Sequence, residues 1–153
     1  MYLGYQNGKI KFYTEIPLDK TFYNLDDVVE TQDEYVLDGE EYVLKDEAWE
    51  AKKEQEEKER IAKLFLTGAD VERGIYQAKG MDFDDIVTLV TQLQPQGLDI
   101  KALKIELKAN NFYRGNPYVS AIGQLLGFTE EQLDKFFETN DYTVLLDSPR
   151  ENV

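Results

Sequence analysis

The pattern of apolar and polar positions changes character about a third of the way along the chain, from hairpin-like to helical. In MYLGYQNGKIKFYTEI, residues 1–16, large apolar residues flank Asn7-Gly8, two residues that tolerate the positive φ of a type I′ turn. This predicts a hairpin with Tyr5 opposite Ile10 and Leu3 opposite Phe12, and with Tyr2 facing Tyr13 on the other side. Pro17 ends it. Residues 18–33 read as an irregular connection anchored by Phe22, Tyr23 and Leu25. The phrase EYVL then occurs twice, at Glu34–Leu37 and Glu41–Leu44, separated by Asp38-Gly39-Glu40. Two short copies read as the strands of one hairpin, because repeat architectures have longer periods and at least three units. A two-residue turn at Asp38-Gly39 sets Tyr35 opposite Tyr42, and a longer loop of the same parity places them alike.

From Asp46 to Leu66 the spacing is helical and the surface charged. Lys53–Glu57, Glu54–Lys58 and Glu56–Arg60 form opposite-charge pairs at i,i+4, each stabilising by about 0.2–0.5 kcal/mol. Apolar residues are sparse between Trp49 and Ile61, so this stretch reads as a solvated strut without a heptad seam. A 15-residue helix spans about 22 Å. Short helices follow. Thr67 caps one carrying Val71, Ile75 and Tyr76 and ending at Gly80, with Asp70 completing a variant capping box. Asp82 caps the next, with Ile86, Val87, Leu89 and Val90 inward, stopping before Pro95. Leu98 to Asn110 contributes Ile100, Leu103 and Leu107. Asn116-Pro117 opens a helix closed by Gly127, and Thr129 with Gln132 opens the last, with Leu133, Phe136 and Phe137. Residues 139–153 lose periodicity.

Composition narrows the chemistry. The chain has no cysteine and no histidine, which excludes disulfides, thiolate or imidazole metal sites, thiol nucleophiles and His-dependent triads. Acid–base work would fall to carboxylates, lysines or tyrosines. The net charge of −14 is spread: residues 1–45 carry 10 acids and 4 bases, and residues 61–153 carry 14 and 9. Such a surface repels a phosphate backbone, so no nucleic-acid partner is expected; the charge serves solubility in the simpler reading and a basic partner surface in the sharper one. No apolar run of about 18 residues and no signal-peptide core is present, so no membrane partner is expected either.

No constellation of residues points to a reaction. Asp82, Asp84 and Asp85 lack the calcium-loop spacing and are better explained as a helix cap, so neither a metal nor a cofactor is expected. The Arg114-Gly115-Asn116-Pro117 segment has too few glycines and no lysine for a phosphate loop, and reads as a turn whose arginine packs or pairs locally. Six of the ten tyrosines fall in residues 1–45. They pave a thin sheet, or some of them form a contact surface, for which tyrosine is well suited. The candidate interface residues are Tyr2, Tyr13, Tyr35, Tyr42 and Trp49, and no catalytic residue is assigned.

Several phrases together resemble a known group: YLGYQNGKIKFYTE, YVLDGEEYVL, the ERIAKLFLT end of the strut, the YRGNP turn, and GQLLGFT followed by QLDKFF. The chain resembles small proteins encoded by tailed bacteriophages and prophages of Gram-positive bacteria, commonly near the tail and baseplate genes. The resemblance covers most of the chain, least of all residues 139–153. It implies a tail-associated or otherwise uncharacterised structural role and supplies no catalytic residues.

The expected architecture is α+β: antiparallel hairpins over 1–45, a charged connecting helix over 46–66, a small all-α domain over 67–138, and an irregular tail over 139–153. The expected function is a non-enzymatic tail or baseplate accessory protein, located in the virion or in the host cytoplasm during assembly, with tail or baseplate proteins as partners. The alternative is a prophage protein that acts in tail assembly or binds a host protein without entering the particle. The open edges of two thin hairpins also predict self-association as a homo-oligomer.

Overall fold

The computed structural model describes residues 1–146 and has the α+β arrangement: antiparallel strands first, then six α-helices. It divides into two compact units, Met1–Glu56 and a second from Glu57 onward, so the division falls inside the charged helix.

In the first unit, β1 (Tyr2–Gln6) and β2 (Lys9–Thr14) form the expected hairpin, with Asn7 and Gly8 at φ 55° and 75° as a type I′ turn needs. Tyr5 faces Ile10, but the register shifts by one beyond a bulge between Gly4 and Tyr5. Leu3 therefore faces Tyr13, and Tyr2 faces Thr14 in place of Tyr13. The extra residue redirects every side chain beyond it, because strand side chains alternate with period two. A third strand, β3 (Asp27–Glu30), lies in the segment read as irregular and pairs with β1, giving the order β2-β1-β3.

Gly4 sits under this sheet's first cover. A Cβ there would meet Leu18 and Leu25 at 3.0 Å, so the glycine lets both leucines close on the strand. Leu25 is buried as an anchor; Phe22 is 78% exposed and anchors nothing.

The second hairpin consists of β4 (Tyr35–Asp38) and β5 (Glu41–Leu44). Its turn is Gly39-Glu40, one residue later than Asp38-Gly39, with Gly39 at φ 71°. The pairs are accordingly Tyr35–Leu44 and Leu37–Tyr42, not Tyr35–Tyr42. Glycine takes the positive φ at the first central position, and that preference decides the register.

Helix α1 (Glu47–Ala62) has no buried residue, as a solvated strut should. It is shorter than 46–66 because Phe65 and Leu66 belong to β6 (Phe65–Thr67), which pairs with β7 (Asn111–Tyr113). The charge pairs also differ: Lys53 bonds Glu56 and Asp38 rather than Glu57, and Arg60 bonds Glu57 and Glu138 rather than Glu56.

The second unit packs α2 (Gly68–Lys79), α3 (Phe83–Leu93), α4 (Ile100–Glu106), α5 (Pro117–Leu125) and α6 (Glu130–Thr139) around one core. The caps read from sequence are in place. Thr67 accepts from Asp70 N, and full capping boxes join Asp82 to Asp85 and Thr129 to Gln132. Only the Asp70 half of the first box fails, since that carboxylate bonds Arg73 at 2.8 Å. Tyr76 is exposed, and the buried face of the helix is made by Val71, Gly74 and Ile75. Beyond α6, Tyr142–Leu145 forms a 3₁₀ turn that buries Leu145, so this part of the expected irregular tail is a docked element. The remainder of that tail, 147–153, lies outside the described residues.

Candidate interaction surfaces

The tyrosines singled out from sequence are brought together in part. In the first unit the Tyr13 ring lies 5.6 Å from Tyr35 and 5.9 Å from Tyr42, both tilted, in the range where aromatic edges and faces attract. Tyr35 and Tyr42 are diagonal across β4–β5, so the bulge that turns Tyr13 onto the Leu3 side lets one ring meet both. The Tyr13 hydroxyl donates to the Asp33 carbonyl at 3.1 Å, and burial pushes the Tyr35 hydroxyl above its usual pKa, with nearby tyrosines and Asp33 adding to the shift. These three half-buried rings pack the second hairpin against the first. Tyr2 is apart from them, opposite Thr14 and Glu30.

Trp49 is also engaged within the unit. Its indole N–H donates to Asp38 at 3.2 Å, and Lys53 donates to the same carboxylate while standing 5.7 Å above the indole ring. The Lys53 and Trp49 hydrogen bonds hold the Asp38 carboxyl below its ordinary pKa. A carboxylate whose folded pKa is depressed stabilises above its unfolded value near pH 4, and that contribution is lost as pH falls through the folded value. Trp49 is the only tryptophan, so its fluorescence reports this latch. Acidification through the low carboxylate range is expected to shift its emission, and Asp38→Ala is expected to produce the shifted spectrum already at neutral pH. Identical pH profiles for Asp38→Ala and the parent would contradict the latch.

The outward apolar residues are others. Phe22 stands edge-on to Tyr23, which packs against Phe12 at 5.2 Å. Leu37 and Leu44 are exposed on the second hairpin. In the second unit the short strands β6 and β7 turn Leu66 and Phe112 inward and present Phe65 and Tyr113 outward as a cross-strand pair, 54% and 51% exposed with centroids 5.6 Å apart. This pair was hidden in sequence because three-residue strands have no measurable periodicity.

The most buried polar group is Arg114, 7% exposed. Its guanidinium donates to Asp134 at 2.7 Å, to Ser120 at 3.0 Å, and to the carboxylate and carbonyl of Glu130. Arg114 thereby ties the β7–α5 turn to the start of α6. The hydrogen bond from Arg114 holds Glu130 below its ordinary pKa, with Ser120 assisting. All three guanidinium nitrogens donate to internal acceptors, so the group's evident role is to build the fold. The expectation that Arg114 pairs locally understated it: the partners are 6 to 20 residues away. Glu130 and Asp134 at i,i+4 on α6 were the readable signal.

An apolar cavity of about 40 Å³ lies in the second unit's core among Val71, Leu103, Phe112, Ile122 and Phe136, with Asn116 bonded to Glu106 beside it. Engineered cavities that take up benzene are near 150 Å³, so this space is too small for a ligand of that size. A polar recess of about 110 Å³ lies between Asp70, Arg73, Gln77, Asn140 and Tyr142, with Arg73 already bonded to Asp70. Asp82 and Asp85 are occupied by their capping box, and no cluster among the described residues is placed to hold a metal. No helix among the described residues is long and apolar enough to cross a membrane. Compared with known protein families, curated proteins and solved structures, the chain matches none.

Proposed function

We propose that this chain is a non-enzymatic interaction protein of the tail or baseplate of a tailed phage, working through contacts made by each of its two units. The observation that carries the contact role is the outward placement of large aromatic residues on both units: Phe22 on the first, and the Phe65–Tyr113 pair on the second. Aromatic side chains supply large contact area at low entropic cost and are enriched at interface centres. The tail or baseplate setting rests on the resemblance of the YVLDGEEYVL, YRGNP and GQLLGFT phrases. In the tyrosine set, Tyr13, Tyr35 and Tyr42 pack against one another, and Tyr2 stands apart on the central strand β1.

The second reading is a prophage protein that assists tail assembly or binds a host protein and stays out of the particle. The high acidity supports it, since a −14 chain attracts basic surfaces. An affinity-tagged copy expressed during prophage induction separates the two. Capture of tail or baseplate proteins is the expected result, reduced by Phe65→Ser with Tyr113→Ser. Capture of a host protein alone would favour the second reading.

A further inference from the structure

We infer that the outer edge of β3 is a docking edge for an extended, lysine- or arginine-bearing segment of a partner protein, which adds to the β2-β1-β3 sheet as a fourth strand. The inference stands on the sheet edge and holds or fails whether or not the chain belongs to a phage tail.

β3 bonds β1 on one side, and among the described residues no other strand pairs with it. Thr31 N donates to Met1 O, and Tyr2 is opposite Glu30, which fixes the alternation of the antiparallel ladder. Val29 therefore bonds β1, while the N–H and C=O groups of Val28 and Glu30 point away from it. The Val28 N–H is held by the carboxylate of the preceding residue, Asp27, at 2.9 Å. That contact is a placeholder. An incoming carbonyl takes the amide, and the displaced Asp27 carboxylate then faces the incoming strand's side chains.

Charge selects the occupant. Residues 14–34 carry seven acids (Glu15, Asp19, Asp26, Asp27, Glu30, Asp33 and Glu34) and one base, Lys20. A second copy of β3 is a poor partner, because only outward-pointing residues can face one another across an antiparallel ladder, and pairing Val28 with Val28 sets Asp26 directly against Glu30. Like charges opposite one another destabilise a sheet, whereas opposite charges stabilise it. Inward or flanking charge is also how edges are guarded against self-pairing. The same acids that block a second copy attract a basic strand, and main-chain bonding with side-chain selection is the usual logic of strand addition.

Three eight-residue probes test this: alternating lysine and valine, the same peptide with glutamate for lysine, and the lysine peptide with two central prolines. Amide hydrogen exchange is followed on the full chain. The lysine peptide is expected to slow exchange at Val28 and Glu30 by about tenfold or more at saturation. The glutamate and proline peptides are expected to leave both amides unchanged. Asp27→Lys with Glu30→Lys should abolish the protection. Val28→Pro, which removes an outward donor without touching the β1 ladder, should weaken it independently. Equal effects from the lysine and proline peptides would overturn the inference as mere charge attraction. So would undiminished protection in the double-lysine variant, or a dimer by light scattering with both amides protected before any peptide is added.

Discussion

Phe136→Ala is expected to lower the unfolding free energy by about 3–5 kcal/mol, the range for removing a large aromatic from a closed core. Phe136 is 2% exposed, packs edge-on to Phe137 at 5.9 Å, and seats its ring against the backbone of α2 at Gly74. That seat makes a second, less obvious substitution costly. Gly74→Ala should stabilise an isolated helix by about 1 kcal/mol. Here the added methyl would lie 2.3 Å from Phe136 Cζ and 2.7 Å from Cε1, so the ring or the helix must move. The overpacking cost of about 1–3 kcal/mol or more outweighs the propensity gain, and the net expectation is destabilisation. Combining Gly74→Ala with Phe136→Leu tests the contact itself. The pair should cost less than the sum of the two single losses in a denaturant-unfolding cycle. Strict additivity would mean that the methyl is accommodated elsewhere.

Arg114→Ala is the second large effect, a loss of about 2–4 kcal/mol. Breaking a buried ion pair from one side costs about 3–5 kcal/mol, and the lower range applies because Glu130 and Asp134 keep access to water. Among the described residues the guanidinium is the only buried charged group, and its removal leaves Ser120 and two carboxylates without their common donor. Arg114→Lys should recover part of the loss, since an ammonium keeps the charge but not the planar fork. The pH dependence carries a definite sign. Because Arg114 depresses the Glu130 pKa, the stabilisation is present above the ordinary glutamate range and is lost as pH falls through the folded value. In Arg114→Ala that contribution to acid sensitivity should disappear, so the stability difference from the parent narrows at low pH. A constant difference from pH 7 down to pH 3 would show that Arg114 acts by packing alone.

What sequence made legible was what local chemistry decides. Asn7-Gly8, Thr67, Asp82, Asn116-Pro117, Thr129 with Gln132, and Gly80 each satisfy backbone groups within a few residues, and each was readable at its position. Features set by distant partners were not. The bulge at Gly4/Tyr5 leaves Lys11 without a partner opposite it, and no turn or cap residue marks that position. Strand β3 exists because β1 is beside it, and DVVE alone has too few residues to show a period. The turn at Gly39-Glu40 was missed by one position, which moved Tyr35 from Tyr42 to Leu44. Aromatic residues stand out in the sequence of both units. Their division into packed rings, Tyr13, Tyr35, Tyr42 and Trp49, and outward ones, Phe22, Phe65 and Tyr113, is tertiary information. The deeper role of Arg114 likewise required α6 to be brought against the β7–α5 turn.

Quantitative mass spectrometry of intact, gradient-purified particles of the phage that encodes this chain tests the central claim most directly. The protein is expected at a fixed small copy number relative to the tail proteins, retained after high-salt washing and after separation of tails from heads. Its absence from such particles, while it is abundant in the lysate they came from, would contradict a place in the tail.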